Sequence, residues 1–345
     1  MATLTHDEAV RRADLLAVDS YTVDLDLTRG AEEFGSRTVI RFSCTEPGAE
    51  SFAELKPVRL HAATLNGTPL DPATLVDNRL RLAGLAAENE LVVTADMAYS
   101  HTGEGLHRYV DPADGEVYLY AQTFLDDAQR MFAGFDQPDL KARFVVSATA
   151  PPEWTVLGNG AGRRVAPGRW EFAETKPLST YFVTLAAGPW HSAYLEHDGV
   201  PLGLHARQSY AAALDADTDE IFTITRECLD RYHQLFDERY PFGKYDQVFV
   251  PEFNAGAMEN PGCVTIRDEQ FLYRSAATDA QRELRAMVIA HEMAHMWFGD
   301  LVTMRWWDDL WLNESFAEYM GHRVTAEATR FRDAWVSFSL ERKAW

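Results

Sequence analysis

Apolar and polar side chains alternate along much of the first half of the chain, as they do in half-buried β-strands. In residues 21–28 every odd-numbered residue is apolar and every even-numbered residue is polar. Further runs with strand propensity, separated by turn residues, are 38–44, 51–55, 91–97, Val117–Gln122, 144–149 and 181–186. We therefore predict a β-rich, largely antiparallel, sandwich-like N-terminal domain.

Helical spacing replaces this alternation after about residue 193, beyond one more strand-like stretch at 201–208. Asp217 or Thr218 can cap a helix whose apolar residues recur at three and four through Phe236. The predicted elements that follow are a short strand at 247–251, a helix over 279–298 that ends before a glycine, and a helix from 308 or 309 to about 328.

The predicted domain organisation is therefore 1–193 for the β-rich domain and 194–345 for a second domain that mixes helices and strands. No internal repeat and no Gly/Ser-rich linker interrupts the chain. Together the two domains predict an α+β protein.

Composition narrows the class of protein. The 345 residues are 46% hydrophobic and 25% charged, which is typical of a soluble globular protein. A formal charge of -21 would repel a polyanion, so no nucleic-acid partner is expected. Three widely spaced cysteines suggest no disulfide framework, and neither a signal peptide nor a membrane-spanning stretch is evident. We expect a cytoplasmic protein without a membrane partner; nothing in the sequence specifies an oligomeric state.

The strongest chemical signal is a His-Glu-x-x-His string in the second predicted helix. His291 and His295 are four residues apart, so both imidazoles lie on one helix face, about 6 Å apart along the axis. Leu284, Val288 and Phe298 extend that face and predict that it is buried. Two imidazole nitrogens can then bind one Zn²⁺ ion, and a catalytic zinc site commonly takes a third protein ligand and a water molecule.

Glu314 is the best candidate for the third ligand, because eighteen residues separate it from His295 and it opens the next predicted helix. Such an ion would bring the pKa of its bound water toward about 7. Glu292 points about a quarter-turn away from His291 and is free to act as general base and then general acid. Glu318, one turn beyond Glu314, either orients a ligand histidine or lies on a solvated face.

A second motif identifies a family. Gly256, Ala257, Met258, Glu259 and Asn260 follow the predicted strand at 247–251. Together with the zinc signature, this segment resembles the aminopeptidase N family of gluzincin metallopeptidases. Further similarity lies in Phe135-Asp136-Gln137-Pro138, in Lys141, in Arg143-Phe144, and in the run from Trp306 to Glu314.

The resemblance implies that the second domain is the first part of a thermolysin-like zinc catalytic domain and that the substrates are peptides with a free N-terminus. It assigns Glu259 to the substrate ammonium group, for which a fixed carboxylate is a suitable charge-assisted partner. It also assigns Gly256, Ala257, Met258 and Asn260 to the segment that contacts the substrate main chain, with Gln122 of the β-rich domain as a further substrate contact.

Two departures from the family pattern qualify this picture. Members usually carry a Gln-x-Glu in the β-rich domain, whereas here the corresponding positions are Gln122 and Phe124. Phenylalanine cannot accept a hydrogen bond from an ammonium group, so we expect weaker binding of ordinary free N-termini. The family also has an oxyanion-binding tyrosine well beyond the third zinc ligand, and Tyr319 is too close to Glu314 to be its counterpart. We expect the catalytic domain to be truncated and favour a fragment of a longer protein.

The sequence thus predicts a zinc-dependent metalloaminopeptidase that binds one Zn²⁺ ion. Two alternatives stay open at this stage: a catalytically impaired or silent scaffold on the same fold, and an epoxide hydrolase-type relative. An endopeptidase is disfavoured, because an internal peptide would leave the Glu259 carboxylate buried and unpaired.

Overall fold

The computed structural model describes residues 3–341, which pack as two compact units. The first unit comprises Met1–Val110 and Val117–Gly188; the second comprises Asp111–Glu116 and Pro189–Trp345. The division after Gly188 lies close to the expected boundary at residue 193, which is itself inside a strand of the second unit. No helix in residues 3–341 has the length and apolar character needed to cross a membrane.

The first unit is built from strands and one short helix, α1 (His6–Leu15). Its strands are β1 (Leu16–Asp26), β2 (Glu33–Cys44), β3 (Ser51–Glu54), β4 (Arg59–Leu65), β5 (Thr68–Pro69), β6 (Leu75–Val76), β7 (Arg79–Leu82), β8 (Glu88–Ala98), β9 (Gly105–Val110), β10 (Val117–Gln122), β11 (Arg143–Thr149), β12 (Thr155–Gly158), β13 (Gly162–Ala166), β14 (Arg169–Phe172) and β15 (Leu185–Gly188). This content confirms the predicted β-rich N-terminal part.

These strands form three sheets. The largest has the order β13-β14-β11-β1-β2-β8-β4-β5, and the two smaller ones have the orders β12-β15-β10-β9 and β3-β7-β6. The alternation around Tyr21, Val23 and Leu25 is confirmed, since all three side chains are buried on one face of β1. Pairing is antiparallel except between β1 and β11, which run parallel.

One predicted strand is wrong over half its length. Residues 181–186 contain the end of a 3₁₀ turn, Thr180–Phe182, and β15 begins only at Leu185. Thr180, Tyr181 and Phe182 are all buried. A continuous buried run has no alternation by which sequence could separate a turn from a strand.

The second unit combines a sheet with helices, as the α+β prediction requires. Its strands are β16 (His191–His197), β17 (Val200–Ala206), β18 (Tyr245–Val250), β19 (Ala257–Met258) and β20 (Cys263–Arg267). Its helices are α2 (Ala211–Leu235), α3 (Asp268–Phe271), α4 (Asp279–His295), α5 (Leu310–Ala328) and α6 (Ala334–Glu341). The sheet order is β16-β17-β18-β20-β19, with the three central strands parallel.

The predicted start of α2 is wrong: the helix begins at Ala211, well before Asp217 and Thr218. The run Ala211-Ala212-Ala213-Leu214 consists of strong helix formers and extends the helix toward the N-terminus. Asp217 is a buried residue of this helix, and its carboxylate pairs with Arg285 of α4 instead of capping.

α4 begins where the sequence indicates. Thr278 and Gln281 form a capping box at its N-terminus. The helix ends at His295, three residues before the predicted Phe298, and Gly299 follows with a positive φ of 134°. Polar contacts connect α4 to α2. One is the Arg285–Asp217 ion pair, and another is a hydrogen bond of 2.6 Å that the Tyr232 hydroxyl of α2 donates to the Ala290 carbonyl of α4.

A buried carboxyl group lies in the core of the first unit. Asp136 Oδ1 accepts a hydrogen bond from Thr180 Oγ1 at 2.6 Å, and its backbone N–H donates to Glu54 Oε2 at 3.0 Å. Burial outweighs the Thr180 hydrogen bond and raises the pKa of Asp136 from 3.8 to about 8. The folded chain therefore holds this proton more tightly than the unfolded chain, so the group's stabilising contribution is complete below pH 3.8 and is lost as the pH rises toward 8.

The Asp136→Asn variant should lose this proton linkage. Between about pH 5 and 8 the unfolding free energy of the native chain should fall by up to about 1.4 kcal/mol per pH unit more than that of the variant. Urea unfolding at a series of pH values, followed by circular dichroism, measures the difference. Glu153→Gln, at an exposed carboxylate of the same unit, should keep the native pH dependence. If the unfolding free energies of the native chain and Asp136→Asn depended on pH in the same way, the raised pKa of Asp136 would be contradicted.

Candidate metal centre and active site

α4 presents two imidazoles to one point. The rings of His291 and His295 lie 4.7 Å apart between centroids, and their Nε2 atoms are 3.0 Å apart. This pairing follows from the four-residue spacing on a helix, as the sequence indicates. His295 is almost fully buried and His291 is partly buried.

α5 brings a carboxylate to the same point. Glu314 Oε2 lies 3.5 Å from His291 Nε2 and 3.6 Å from His295 Nε2. Tetrahedral coordination with bonds of about 2.0–2.1 Å would separate ligand atoms by about 3.3–3.4 Å. The three observed separations of 3.0, 3.5 and 3.6 Å lie around this value. Two imidazole nitrogens and one carboxylate oxygen are also a ligand set of catalytic zinc sites.

The close packing of α5 on α4 depends on Gly321. A Cβ atom at this position would lie 3.1 Å from His291 Cβ, 3.2 Å from the Met287 carbonyl oxygen and 3.3 Å from His291 Cα. Two of these three atoms belong to the α4 backbone, so a side chain at Gly321 would fit only if α4 or α5 shifted by a few tenths of an ångström.

The hydrogen-bond partners of the other ring nitrogens determine which atom of each histidine is available to a metal ion. His295 Nδ1 lies 3.0 Å from the Phe298 carbonyl oxygen, and His291 Nδ1 lies 3.3 Å from Glu318 Oε2. Because both partners only accept, each Nδ1 donates a proton to its partner, which leaves each Nε2 as the nitrogen that could bind a metal ion. The sequence could not identify the Phe298 carbonyl as this partner. Every residue has a backbone carbonyl group, and the position of this one depends on where α4 ends.

The three candidate ligands shift one another's pKa. Burial disfavours the charged imidazole, but contacts with Glu314 and Glu318 outweigh it and raise the pKa of His291 to about 9. For His295, burial is likewise outweighed, by the charge of Glu259 and the contact with Glu314, and the pKa rises to about 10. Burial would raise the pKa of Glu314, but the two histidines hold it well below its usual range. A cation bound between them would take the place of the imidazole protons.

Glu292 lies on α4 between the histidines in sequence. Its side chain is buried, and Oε2 has no hydrogen-bond partner among residues 3–341. Burial, opposed by the charges of His291 and His295, raises the pKa of Glu292 to about 7. A carboxyl group in this state can either accept or give up a proton near neutral pH.

Glu259 follows β19 and comes close to the histidine pair. Its side chain is buried, with Oε1 4.0 Å from His295 Nδ1 and no hydrogen bond to that oxygen within the described residues. Burial raises the pKa of Glu259, while the charge of His295 opposes the shift.

The rest of this segment forms a sheet edge. Ala257 and Met258 pair with β20, and β19 is the last strand in the sheet order, so its other edge pairs with no strand in residues 3–341. A Cβ atom added to Gly256 would lie 3.9 Å from the Phe271 ring, which is an ordinary van der Waals contact. Met258 and Asn260 are buried, and Asn260 Nδ2 donates to Thr265 Oγ1 at 3.4 Å.

Gln122 belongs to the first unit, where it is the buried last residue of β10. Phe124 is part-buried, with its ring 5.8 Å from that of Tyr181. The structure therefore brings His291, Glu292, His295, Glu314 and the Gly256–Asn260 segment together within one unit; the role of Gln122 stays a prediction.

Comparison with known proteins agrees with this arrangement. A model of the peptidase M1 N-terminal domain matches residues 85–182, and a model of the peptidase family M1 domain matches residues 221–344. Aminopeptidase N of Streptomyces lividans is 52% identical over 353 residues, covering 99% of this chain and 41% of that protein. Aminopeptidase N of Acetobacter pasteurianus is 34% identical, covering 73% of this chain and 81% of that protein.

A third relative is human glutamyl aminopeptidase, which is 35% identical over 62% of this chain and 23% of its own length. The chain thus spans about two fifths of the Streptomyces lividans protein, and less of the human one.

Loss of any one candidate ligand should abolish tight zinc binding. The native chain should retain about one zinc ion after gel filtration, whereas His291→Ala, His295→Ala and Glu314→Ala should each lower the affinity by at least about 100-fold, because changing even an outer partner of a ligand costs 10–100-fold. Competition with a chromogenic chelator measures the affinity. His197→Ala, at a histidine that pairs with Asp230, is the matched control and should bind zinc normally. Equal affinity of all variants would show that the metal binds elsewhere.

Proposed function

Because the chain belongs to peptidase family M1, we propose that it carries the zinc site of an aminopeptidase that hydrolyses the N-terminal peptide bond of peptides. The observation that carries the proposal is the triangle of His291 Nε2, His295 Nε2 and Glu314 Oε2, with sides of 3.0, 3.5 and 3.6 Å. These three residues would hold one Zn²⁺ ion. When bound, the ion would polarise the scissile carbonyl group and lower the pKa of a coordinated water molecule.

Glu292 is the proposed general base. Its unpartnered, buried Oε2 is available to take a proton from the attacking water as the new C–O bond forms. The same carboxyl group then gives this proton to the amine nitrogen as the C–N bond breaks, so no other proton donor is required. Burial also excludes bulk water that would compete for the proton.

Glu259 is the proposed recognition group for the substrate N-terminus. Its buried Oε1 lacks a hydrogen-bond partner among the described residues, and a substrate ammonium group would provide one together with a compensating charge. An internal peptide segment has no such charge and would leave the carboxylate buried without compensation. This difference favours an exopeptidase over an endopeptidase.

The open edge of β19 supports a role in binding the substrate main chain. An extended peptide can add to an unpaired strand edge through backbone hydrogen bonds, which depend little on side-chain identity. Gly256 has no side chain and would let a peptide backbone approach this segment closely. We assign Gly256, Ala257, Met258, Asn260 and, from the first unit, Gln122 to substrate binding.

A catalytically silent scaffold is the second candidate, and Phe124 favours it. The family pattern has an acid at this position, and its loss removes one ammonium contact. The retention of a buried general base next to a complete ligand triangle favours the enzyme, because a scaffold has no use for an unpaired buried carboxyl oxygen, which costs free energy.

Glu292→Gln should separate metal binding from turnover. The amide cannot take a proton from water, so hydrolysis of aminoacyl arylamides should fall by at least about 100-fold, while zinc stays bound. The measurements are the arylamide rate and the zinc content of the same sample. Glu283→Gln, on the same helix, is the matched control and should keep the native rate. A chain that binds zinc but shows no activity, with or without the substitution, would favour the scaffold.

Phe124→Glu should strengthen binding of free N-termini by adding a carboxylate at the position where the family has one. A charge-assisted hydrogen bond contributes about 1.5–3 kcal/mol, so KM for a leucyl arylamide should fall roughly tenfold or more with little change in kcat. Phe124→Gln supplies an acceptor without the charge and should have a smaller effect. An unchanged KM in Phe124→Glu would contradict this role.

A further inference from the structure

A chain of polar side chains continues from the candidate metal site along α5. Glu314, Glu318 and His322 follow one another at four-residue intervals, so they line one helix face. Glu318 Oε2 lies 3.3 Å from His291 Nδ1, and Glu318 Oε1 lies 3.2 Å from His322 Nε2. One carboxylate therefore joins a candidate metal ligand to a second histidine through its two oxygens.

His322 is held in a defined orientation. Its side chain is 7% exposed, and its ring packs against Trp335 and Phe338 of α6 with centroid distances of 6.0 and 5.1 Å. Its Nδ1 has no hydrogen-bond partner within residues 3–341, so the contact with Glu318 is the polar interaction that the structure gives this ring. Because a carboxylate only accepts, His322 Nε2 donates to Glu318.

We propose that His322 is a positioning residue that fixes the Glu318 carboxylate so that this carboxylate orients His291 toward the metal. Glu318 is only part-buried and has rotatable bonds, and the contact of its Oε1 with His322 restricts the carboxylate whose Oε2 lies beside His291. A carboxylate that accepts from the far nitrogen of a ligand histidine fixes its tautomer and raises its basicity. The inference rests on the proposed zinc site.

Two substitutions separate hydrogen bonding from packing. His322→Phe keeps an aromatic ring against Trp335 and Phe338 but removes the donor. His322→Gln retains an N–H donor near the position of Nε2 but removes the ring. Glu327→Gln, at another hydrogen-bonded glutamate of α5, is the matched control. Circular dichroism and thermal unfolding of the metal-free chains check that each variant folds.

Zinc affinity, measured by chelator competition, is the primary readout, and the visible absorption of the Co²⁺-substituted chains reports the ligand geometry. His322→Phe should weaken zinc binding about tenfold, the lower end of the effect of removing an outer partner, and should shift the Co²⁺ bands. His322→Gln and Glu327→Gln should bind within a few-fold of the native chain. In the double variant with Glu318→Ala, His322→Phe should cause no further loss, because it acts only through Glu318.

The inference is overturned if His322→Phe binds zinc as tightly as the native chain, if His322→Gln weakens binding as much as His322→Phe, or if the losses from Glu318→Ala and His322→Phe add. These results would leave the proposed zinc site intact. Failure of the native chain to bind zinc would instead overturn the proposed function together with this inference.

Discussion

The close contact between α4 and α5 at Gly321 is the constraint on which the site depends. α4 contributes two imidazoles and α5 the carboxylate, so the two separations that cross between the helices, 3.5 and 3.6 Å, depend on how near the helices lie. A Cβ at Gly321 would come within 3.3 Å of the α4 backbone, and backbone atoms of a packed helix cannot move aside cheaply. A glycine inside a helix costs about 1 kcal/mol relative to alanine, and here that cost is offset by the approach it permits.

The position of α4 is in turn fixed by contacts outside the site. On one side, the fully buried Arg285 pairs with Asp217 and Glu220 of α2, and the Tyr232 hydroxyl bonds to the Ala290 carbonyl. A buried ion pair adds little net stability, because desolvation offsets the attraction, but a misplaced helix would leave its charges uncompensated. These contacts therefore act mainly on the orientation of α4, which is what a set of metal ligands requires.

Sequence reasoning succeeded where local spacing decides the geometry. The four-residue interval between His291 and His295, and the start of α4 at its capping box, are properties of a single helix and follow from the order of residues. The sequence-based predictions were wrong where contacts between distant residues determine the local structure. Asp217 looks like a cap but is buried against Arg285, and the buried residues 180–182 adopt a turn that no periodicity distinguishes from a strand.

The same distinction applies within the site. Glu314 could be chosen from its distance along the chain, but the Phe298 carbonyl that orients His295 could not, because the hydrogen bond requires α4 to end at His295 and the chain to turn back. Likewise, the grouping of Asp111–Glu116 with the second unit needs contacts between residues far apart in sequence.

In the proposed function, the carboxyl groups of the site favour a cation. Glu259, Glu292 and Glu314 lie around two imidazoles, and burial by itself raises the pKa of all three carboxyl groups. Protonated histidines can balance these charges, but an imidazolium nitrogen has no lone pair for a metal. A bound dication supplies the same positive charge while the imidazoles stay neutral, and a substrate ammonium group can do so for Glu259 alone. Under the proposed function, a metal ion would compensate the charges around the histidines, and the free end of a peptide would compensate Glu259. Such an arrangement would select chain ends by charge before any side-chain pocket contributes.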